Sequence, residues 1–217
     1  MNIQSGLLIL LAYGSLPGGF YDAAADFSVS MNPAREGTWS YGWESKLRSE
    51  LNLYTQHYDL LYWGSRVIGW SRSGEGPQHG DYCCPFIALN VSGRTITPQP
   101  LEPIDTFIPP GQLWFHPGPR GEYSIIRWIC PSPGHYRVTV RFDALGPATA
   151  DVHVLKNDTV LGEEELGRDG FAYDFSFESL EIRANDRLDF AVGYGSDHTY
   201  EADITGLSVR IQALAEN

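Results

Sequence analysis

The sequence lacks the motifs that mark several common enzyme and metal-binding classes. It contains no HExxH, no paired CxxC and no Gly-x-Ser-x-Gly, which are the signatures of zincins, many structural zinc sites and serine hydrolases. Positive charge is also scarce, because 15 Lys and Arg face 27 Asp and Glu, for a net charge of -12. Such a chain repels phosphate backbones and anionic membranes. The net charge therefore leads us to expect no nucleic-acid partner. The missing catalytic motifs lead us to expect a binding module rather than an enzyme.

Long apolar runs are missing as well. The run at residues 5–12, SGLLILLA, is far too short to span a bilayer, so we expect no membrane insertion. With Ala23–Ala25 as a small-residue cleavage site, the run has the outline of a secretory signal. Two interpretations of residues 1–25 remain open. They are a signal segment, or an N-terminal arm in which Leu7 to Leu11 form a strand.

Cysteine is rare, with three residues in all: Cys83, Cys84 and Cys130. An odd number excludes complete pairing within one chain. If the protein is exported, one disulfide from Cys83 or Cys84 to Cys130 can form. The alternative is three buried free thiols, since free cysteine behaves as a small apolar residue.

Turn residues and alternating apolar residues are abundant. The chain has 23 Gly and 14 Pro, which punctuate many short strands. The clearest strand is His135 to Phe142, where His135, Arg137, Thr139 and Arg141 share one face. Its apolar face is formed by Tyr136, Val138, Val140 and Phe142. A period of two with one apolar face is typical of a half-buried strand.

Similar alternation from Phe27 to Ile211 predicts about ten to twelve strands. No alternation of strands and helices appears, so the sheets should be antiparallel. One helix is predicted at Glu44 to Tyr62, where four residues recur at helical spacing: Leu47, Leu51, Tyr54 and Tyr58. The alternative for this segment is a strand, which Thr55, His57 and the aromatic residues would also suit. The expected fold is all-β: an antiparallel two-sheet β-sandwich of jelly-roll type, with at most one short helix. It forms one domain at residues 26–211, followed by a C-terminal tail at 212–217.

Three acidic residues near the C-terminus form the candidate metal site. Glu201 and Asp203 are two residues apart and share a face on a strand, and Asp197 lies in the preceding Gly-rich loop. Hard oxygen ligands of this kind suit a structural Ca²⁺. The alternative is that these are solvated acids at the start of a strand.

Four residues are candidates for ligand binding. Trp63 and Trp70 flank polar loop residues, so we expect them to be exposed and to stack on sugar rings, although a sandwich core consumes most aromatic residues. His116 ends a strand at the predicted rim, where it acts as a base or ligand or caps a turn. Arg127 lies in an apolar strand and needs a partner. We favour a core acid over a ligand carboxylate or sugar hydroxyl.

Five segments carry a resemblance to known proteins. They are TWSYGW (38–43), FHPGP (115–119), YSIIRWICPSPGHYRVTVRF (123–142), DVHVLKND (151–158) and RLDFAVGYGSDHTYEADITGLSVRI (187–211). Over about residues 26–211 the chain resembles a domain of exported bacterial cell-surface proteins, often those with a PEP-CTERM sorting tail. Its C-terminal half also resembles carbohydrate-binding-module and galactose-binding-like sandwiches. The chain ends at Asn217 without such a tail, so we do not expect anchoring by that route.

The resemblance implies a non-catalytic β-sandwich, extracellular or on the cell surface, that binds carbohydrate or another surface component. It also makes a structural calcium an expectation. Two alternatives remain open. A polysaccharide lyase or glycosidase needs two carboxylates across a cleft, and Glu163–Glu165 is more simply a solvated run. An assembly module would instead pair its edge strands with other subunits, and a flat apolar patch would favour it.

Overall fold

The structure is a computed structural model that describes residues 19–34, 37–77, 84–97, 105–167 and 171–215. Within these ranges the chain forms fourteen β-strands and no helix. The first seven are β1 (Phe20–Asp22), β2 (Trp39–Glu44), β3 (Asn52–Leu53), β4 (Gln56–Tyr62), β5 (Ser65–Ser71), β6 (Phe86–Asn90) and β7 (Leu113–His116). The others are β8 (Tyr123–Ile129), β9 (Gly134–Ala144), β10 (Asp151–Lys156), β11 (Thr159–Glu165), β12 (Ala172–Ile182), β13 (Arg187–Val192) and β14 (Thr205–Ala213).

The strands form two antiparallel sheets, which confirms the predicted β-sandwich. The eight-stranded sheet has the order β12-β9-β14-β7-β6-β5-β4, with β1 also paired to β14. The six-stranded sheet has the order β11-β10-β13-β8-β2-β3. From β7 to β14 the chain crosses repeatedly between the sheets, as in a jelly roll. None of the described residues belongs to a helix long and apolar enough to span a membrane.

The predicted helix at Glu44 to Tyr62 is wrong. β2 ends at Glu44 and β4 occupies the second half of that segment. Tyr58, Leu60 and Tyr62 pack on the same cluster, which is the two-residue period of a strand. Leu47 and Leu51 belong instead to the β2–β3 connection and cover the outer face of the six-stranded sheet. Their helical spacing is therefore a coincidence of two separate packing contacts.

The main core lies between the sheets, and a second apolar cluster covers part of the eight-stranded sheet. In the main core the apolar face of β9 packs with Trp128 and Phe190 of the opposite sheet. The second cluster sits on the outer face of β4 to β7 and includes Phe86, Ile108 and Trp114. Among the described residues, this cover does not extend over β9, β12 or the second half of β14.

The described N-terminal residues belong to the sandwich. β1 pairs with β14, and Ala23 is buried in the main core. The candidate cleavage site therefore follows a strand of the folded domain. Residues 1–18 lie outside the described residues, so the signal interpretation stays a prediction. At the other end β14 extends through Ala213, two residues beyond the predicted boundary.

The two described cysteines are buried and are not joined by a disulfide. Cys84 and Cys130 belong to different apolar clusters, one on each side of the eight-stranded sheet. The Cys130 thiol donates to the carbonyl of Ser132 at 2.9 Å. A disulfide between Cys84 and Cys130 is therefore wrong, and the prediction for Cys83 falls on a residue outside the described ranges.

Candidate functional site

A polar groove lies on the open outer face of the eight-stranded sheet, over β9, β12 and β14. It is a hollow of about 370 Å³. Cross-strand register aligns its polar side chains, because Arg141 lies opposite both Asp174 and Ser208. One pair along, Thr139 lies opposite both Ser176 and Arg210. The polar lining of the groove is therefore Thr139, Arg141, Asp174, Ser176, Ser208 and Arg210.

The same alternation that builds the core builds this groove. Successive side chains on a strand point to opposite faces. Val138, Val140 and Phe142 of β9 therefore enter the core, and the residues between them face outward. Ser208 and Arg210 alternate in the same way with Leu207 and Val209 on β14. The groove is thus a direct product of period-two patterning on adjacent strands.

Ion pairs hold the charged side chains of the groove in place. Arg141 Nε donates to Asp143 Oδ1 and Arg141 Nη1 donates to Asp174 Oδ2, both at 2.8 Å. Arg210 Nε lies 3.4 Å from Asp22 Oδ2. The carboxylate of Asp143 raises the pKa of Arg141 above its ordinary value, so the guanidinium stays charged. The groove therefore presents fixed donors beside fixed acceptors over a shallow surface.

The carboxylates at the groove are already engaged in ion pairs. Asp174 is bound by Arg141 Nη1 and Asp143 by Arg141 Nε. A glycosidase requires two carboxyl groups on opposite sides of the glycosidic bond, and the enzyme alternative stays a prediction. The arrangement can form hydrogen bonds to a polar ligand.

Of the two tryptophans predicted to be exposed and to stack on sugars, one is buried in the main core. Trp70 is 3% exposed and belongs to the main core, and its indole N–H donates to the carbonyl of Ser28. Its predicted exposure is wrong because β5 turns this ring between the sheets. Trp63 is half-buried at the β4–β5 turn and stacks on Tyr62, with ring centroids 4.2 Å apart. Both tryptophans lie at the β4–β5 end of the eight-stranded sheet, with β7 and β6 between them and the groove strands.

His116 lies at the rim of the sandwich, as predicted, but it is buried. Its ring stacks on Phe86 with centroids 5.4 Å apart, and its Nδ1 pairs with the carbonyl of Pro117 at 2.8 Å. Burial lowers the pKa of His116 to about 4, so the imidazole is neutral at physiological pH. These contacts fit the turn-capping interpretation, and a ligand role for His116 stays a prediction.

Arg127 pairs with a core acid, which confirms the structural interpretation. Its Nε and Nη2 donate to both oxygens of Asp189 at 2.6 and 2.9 Å, and Glu44 Oε1 lies 3.5 Å away. Burial raises the pKa of Asp189. It also raises the pKa of Glu44 to about 6, with Asp189 adding to the shift. The guanidinium therefore neutralises two desolvated carboxylates on the outer face of the six-stranded sheet.

The three candidate calcium ligands are not gathered into one group. Thr149 Oγ1 donates to Asp197 Oδ2 at 2.9 Å and lies 3.3 Å from Asp203 Oδ1, so these two acids flank one hydroxyl. Glu201 is exposed nearby in the loop. Across the described ranges no three His, Cys, Asp or Glu side chains form a group able to hold a metal ion. Calcium therefore stays a prediction, and the expected three-residue set is not assembled.

Asp203 is nevertheless unusual among the acids. It is fully buried, and its Oδ1 accepts the backbone N–H of Thr149 at 2.7 Å, while its Oδ2 is buried without a hydrogen-bond partner. Burial, and then the nearby Asp197, raise the pKa of Asp203 to about 7 against the hydrogen bonds from Thr149. Gly195 permits this close packing, because a Cβ there would lie 1.8 Å from the Thr149 carbonyl.

The sequence did not reveal the groove as a site. The polar face of β9 was visible from its alternation, but nothing in the sequence aligned it with Asp174 and Ser176 of β12 or with Ser208 of β14. The signal that would have found the groove is the register of three strands that are far apart in the chain. That register follows only from the packed fold.

Comparison with known proteins gives structural neighbours only. No protein-family model matches the sequence, and no curated protein matches it. Among solved structures, the C-terminal CBM6 of LamC from Zobellia galactanivorans shares 16% identity, covers 42% of this chain and 79% of its own, and has a TM-score of 0.25. A CBM4 structure shares 11% identity over 69% of this chain and 83% of its own, with a TM-score of 0.28.

A third neighbour is the Stig cyclase Fisc from Fischerella sp. TAU. It shares 12% identity, covers 82% of this chain and all of its own, and has a TM-score of 0.38. All three superpositions are partial, so the two-sheet architecture rests on the strand order of the chain itself.

We predict that Arg127→Ala destabilises the fold strongly. The substitution leaves Asp189 and Glu44 buried without their cation, and breaking such a buried pair costs roughly 3–5 kcal/mol. Urea denaturation followed by tryptophan fluorescence measures the free energy of unfolding. Arg66→Ala is the matched control, since Arg66 makes a similar bidentate bond to Asp59 on the surface and its loss should change stability little. Equal effects of the two substitutions would contradict a dominant role for the buried pair.

We predict that Asp203 makes stability fall as pH rises from about 4 to 7. The folded pKa of about 7 exceeds the unfolded value of about 3.9, so over this range the folded state binds a proton that the unfolded state releases. Asp203→Asn should remove this component, which is on the order of 4 kcal/mol. Unfolding at several pH values in EDTA measures the difference between the two proteins. Glu44 and His116 titrate in both proteins, so parallel pH profiles would contradict the prediction.

Proposed function

We propose that this β-sandwich is a non-catalytic carbohydrate-binding module and that the groove over β9, β12 and β14 holds the glycan. The observation that carries the proposal is the shallow hollow on the outer face of the eight-stranded sheet. Over β9, β12 and β14, strand register aligns the hydrogen-bond donors and acceptors that line it. The second apolar cluster covers the other half of the same face. An extracellular or cell-surface setting belongs to the same proposal. No described part of the groove argues for catalysis.

The chemistry of the lining suits the hydroxyl groups of sugars. A pair of adjacent hydroxyls donates and accepts at nearby positions, and the pairs of guanidinium and carboxylate groups at Arg141 and Asp174 offer the complementary pattern. Hydrogen bonds to charged groups are stronger than those between neutral groups. Ser176 and Ser208 add rotating hydroxyls that donate or accept as required. These groups support the proposal because they offer the polar contacts that sugar hydroxyls need.

An exposed aromatic ring lies on β1, which pairs with the groove strand β14. Phe20 is 59% exposed and lies opposite Gln212 on β14. It is two residues from Asp22, so both side chains point to the same face of β1, and Asp22 is the partner of Arg210. An exposed ring at this position offers apolar contact to the C–H face of a sugar.

The charge of the protein favours a neutral glycan. The chain carries a net charge of -12, which repels uronate-rich or sulfated polymers at long range. Within the groove, acidic partners already bind both Arg141 and Arg210. A neutral polysaccharide therefore encounters matched donors and acceptors without paying this electrostatic penalty.

We predict that Arg141→Ala and Arg210→Ala each weaken glycan binding at least tenfold, because each removes charge-assisted hydrogen bonds. A panel of neutral polysaccharides in affinity electrophoresis identifies a ligand, and titration calorimetry with its oligosaccharides gives the affinities. Arg66→Ala is the control, since this surface arginine lies on β5, away from the groove. Melting curves should show all three variants folded.

Two results would contradict this proposal in different ways. If groove variants bind a glycan as wild type does but Trp63→Ala does not, the binding surface is the β4–β5 turn. If the wild-type protein binds no glycan in the panel, carbohydrate is the wrong ligand class and assembly through exposed edges becomes the better explanation.

Calcium enters the proposal in a narrower form, supported by the unpartnered Oδ2 of Asp203 and the adjacent Asp197. Ca²⁺ favours carboxylate oxygens and accepts carbonyl and water oxygens beside them. We predict that Ca²⁺ raises the melting temperature by several degrees and that Asp203→Asn abolishes the rise. Glu201→Gln is the control and should retain it. A rise that depends on Glu201 and not on Asp203 would restore the original ligand assignment, and no rise at millimolar Ca²⁺ would exclude the ion.

A further inference from the structure

A second polar cluster lies on the outer face of the six-stranded sheet, on the opposite side of the molecule from the groove. Asp151 Oδ2 is its centre and accepts hydrogen bonds from Tyr123 Oη and from His153 Nε2, both at 2.6 Å. Asp151 Oδ1 accepts the backbone N–H of Gly195 at 2.8 Å. On the neighbouring strand Glu163 lies directly opposite His153.

The carboxylate of Asp151 orients the imidazole of His153. His153 Nε2 lies 2.6 Å from Asp151 Oδ2, and a carboxylate accepts hydrogen bonds, so this contact places a proton on Nε2. Nδ1 is therefore the ring nitrogen that is left to bind a metal ion. A carboxylate that orients a histidine in this way is the usual outer shell of a metal-binding imidazole.

The Nδ1 atom of His153 is the unexplained feature of this cluster. His153 is 8% exposed, and its Nδ1 is buried without a hydrogen-bond partner. Glu163 Oε2 lies 3.7 Å from this nitrogen, which is too long for a hydrogen bond. A buried ring nitrogen without a hydrogen-bond partner therefore lies beside an exposed carboxylate.

The separation of these two atoms matches that of two ligands on one metal ion. Zinc binds imidazole nitrogen at about 2.0–2.1 Å and carboxylate oxygen at about 2.0–2.2 Å. Two such ligands on a tetrahedral ion lie about 3.4 Å apart by geometry. Glu163 keeps two thirds of its side chain exposed, so a shift of a few tenths of an ångström is unhindered.

We propose that His153 Nδ1 and Glu163 bind a divalent transition-metal ion of the zinc type, with Asp151 as the positioning carboxylate. Imidazole with carboxylate suits Zn²⁺ better than Ca²⁺, which prefers oxygen ligands alone. The remaining coordination positions are open to water or to a ligand atom from a partner. This site shares no residue with the glycan groove or with the proposed calcium ligands.

Titration calorimetry of the untagged protein with Zn²⁺ tests this proposal. We expect one ion per chain, and we expect Glu163→Gln to weaken binding at least tenfold while the protein stays folded, since Glu163 is exposed. Glu164→Gln is the matched control, because the adjacent side chain points to the other face of β11. It removes the same charge and should leave the affinity unchanged.

A second measurement separates a site from general attraction of cations to an acidic protein. In two-dimensional ¹H–¹⁵N spectra of the imidazole groups, Zn²⁺ should shift His153 Nδ1 and leave its Nε2–H bonded to Asp151. Ca²⁺ at the same concentration should not shift it. The proposal is overturned if wild-type protein shows no binding, or if Glu163→Gln binds as tightly as wild type.

Discussion

The strict alternation of side chains on β9 and β14 is the constraint on which the rest of the structure depends. These strands lie side by side in the eight-stranded sheet, next to its edge strand β12, and they are paired in register over nine residues of each. One set of side chains, including Val138, Val140 and Val209, forms the centre of the core. A slip of one residue would exchange the two faces completely, burying Arg141 and Arg210 and exposing the valines. Core and groove are therefore specified by one register.

The charged residues follow a different rule on each sheet. On the large sheet Arg141 and Arg210 stay near water, where exposed ion pairs contribute little to stability and remain available to a ligand. On the small sheet Arg127 and Asp189 are buried together beneath the β2–β3 connection. Removal of either partner there is expensive, although the pair itself need not stabilise the fold. Function is therefore better sought among the exposed pairs, and Arg127 is better understood as a structural residue.

The sequence was sufficient for the architecture because the information was local. Alternation within His135 to Phe142 is legible without knowledge of any neighbour, and it predicted a strand that the structure confirms. The helix predicted at Glu44 to Tyr62 was wrong because residues that pack on different sheets happen to recur at helical spacing. Leu47 and Leu51 cover the six-stranded sheet, and Tyr58 covers the eight-stranded sheet. Exposure of Trp70 could not be read locally either, because polar neighbours in the chain do not fix which face of β5 points inward.

The groove could not be predicted because it depends on contacts between distant segments. Arg141, Asp174 and Ser208 come from three strands whose pairing is decided by the whole sandwich, and each residue alone is an ordinary solvated side chain. The same holds for His153 and Glu163, which become notable only when the hairpin places them opposite each other and Asp151 fixes the imidazole. Both places hold polar groups that can bind a further partner. In the groove these groups are exposed to solvent and suit a ligand that exchanges. The Nδ1 atom of His153 is buried and suits a bound ion.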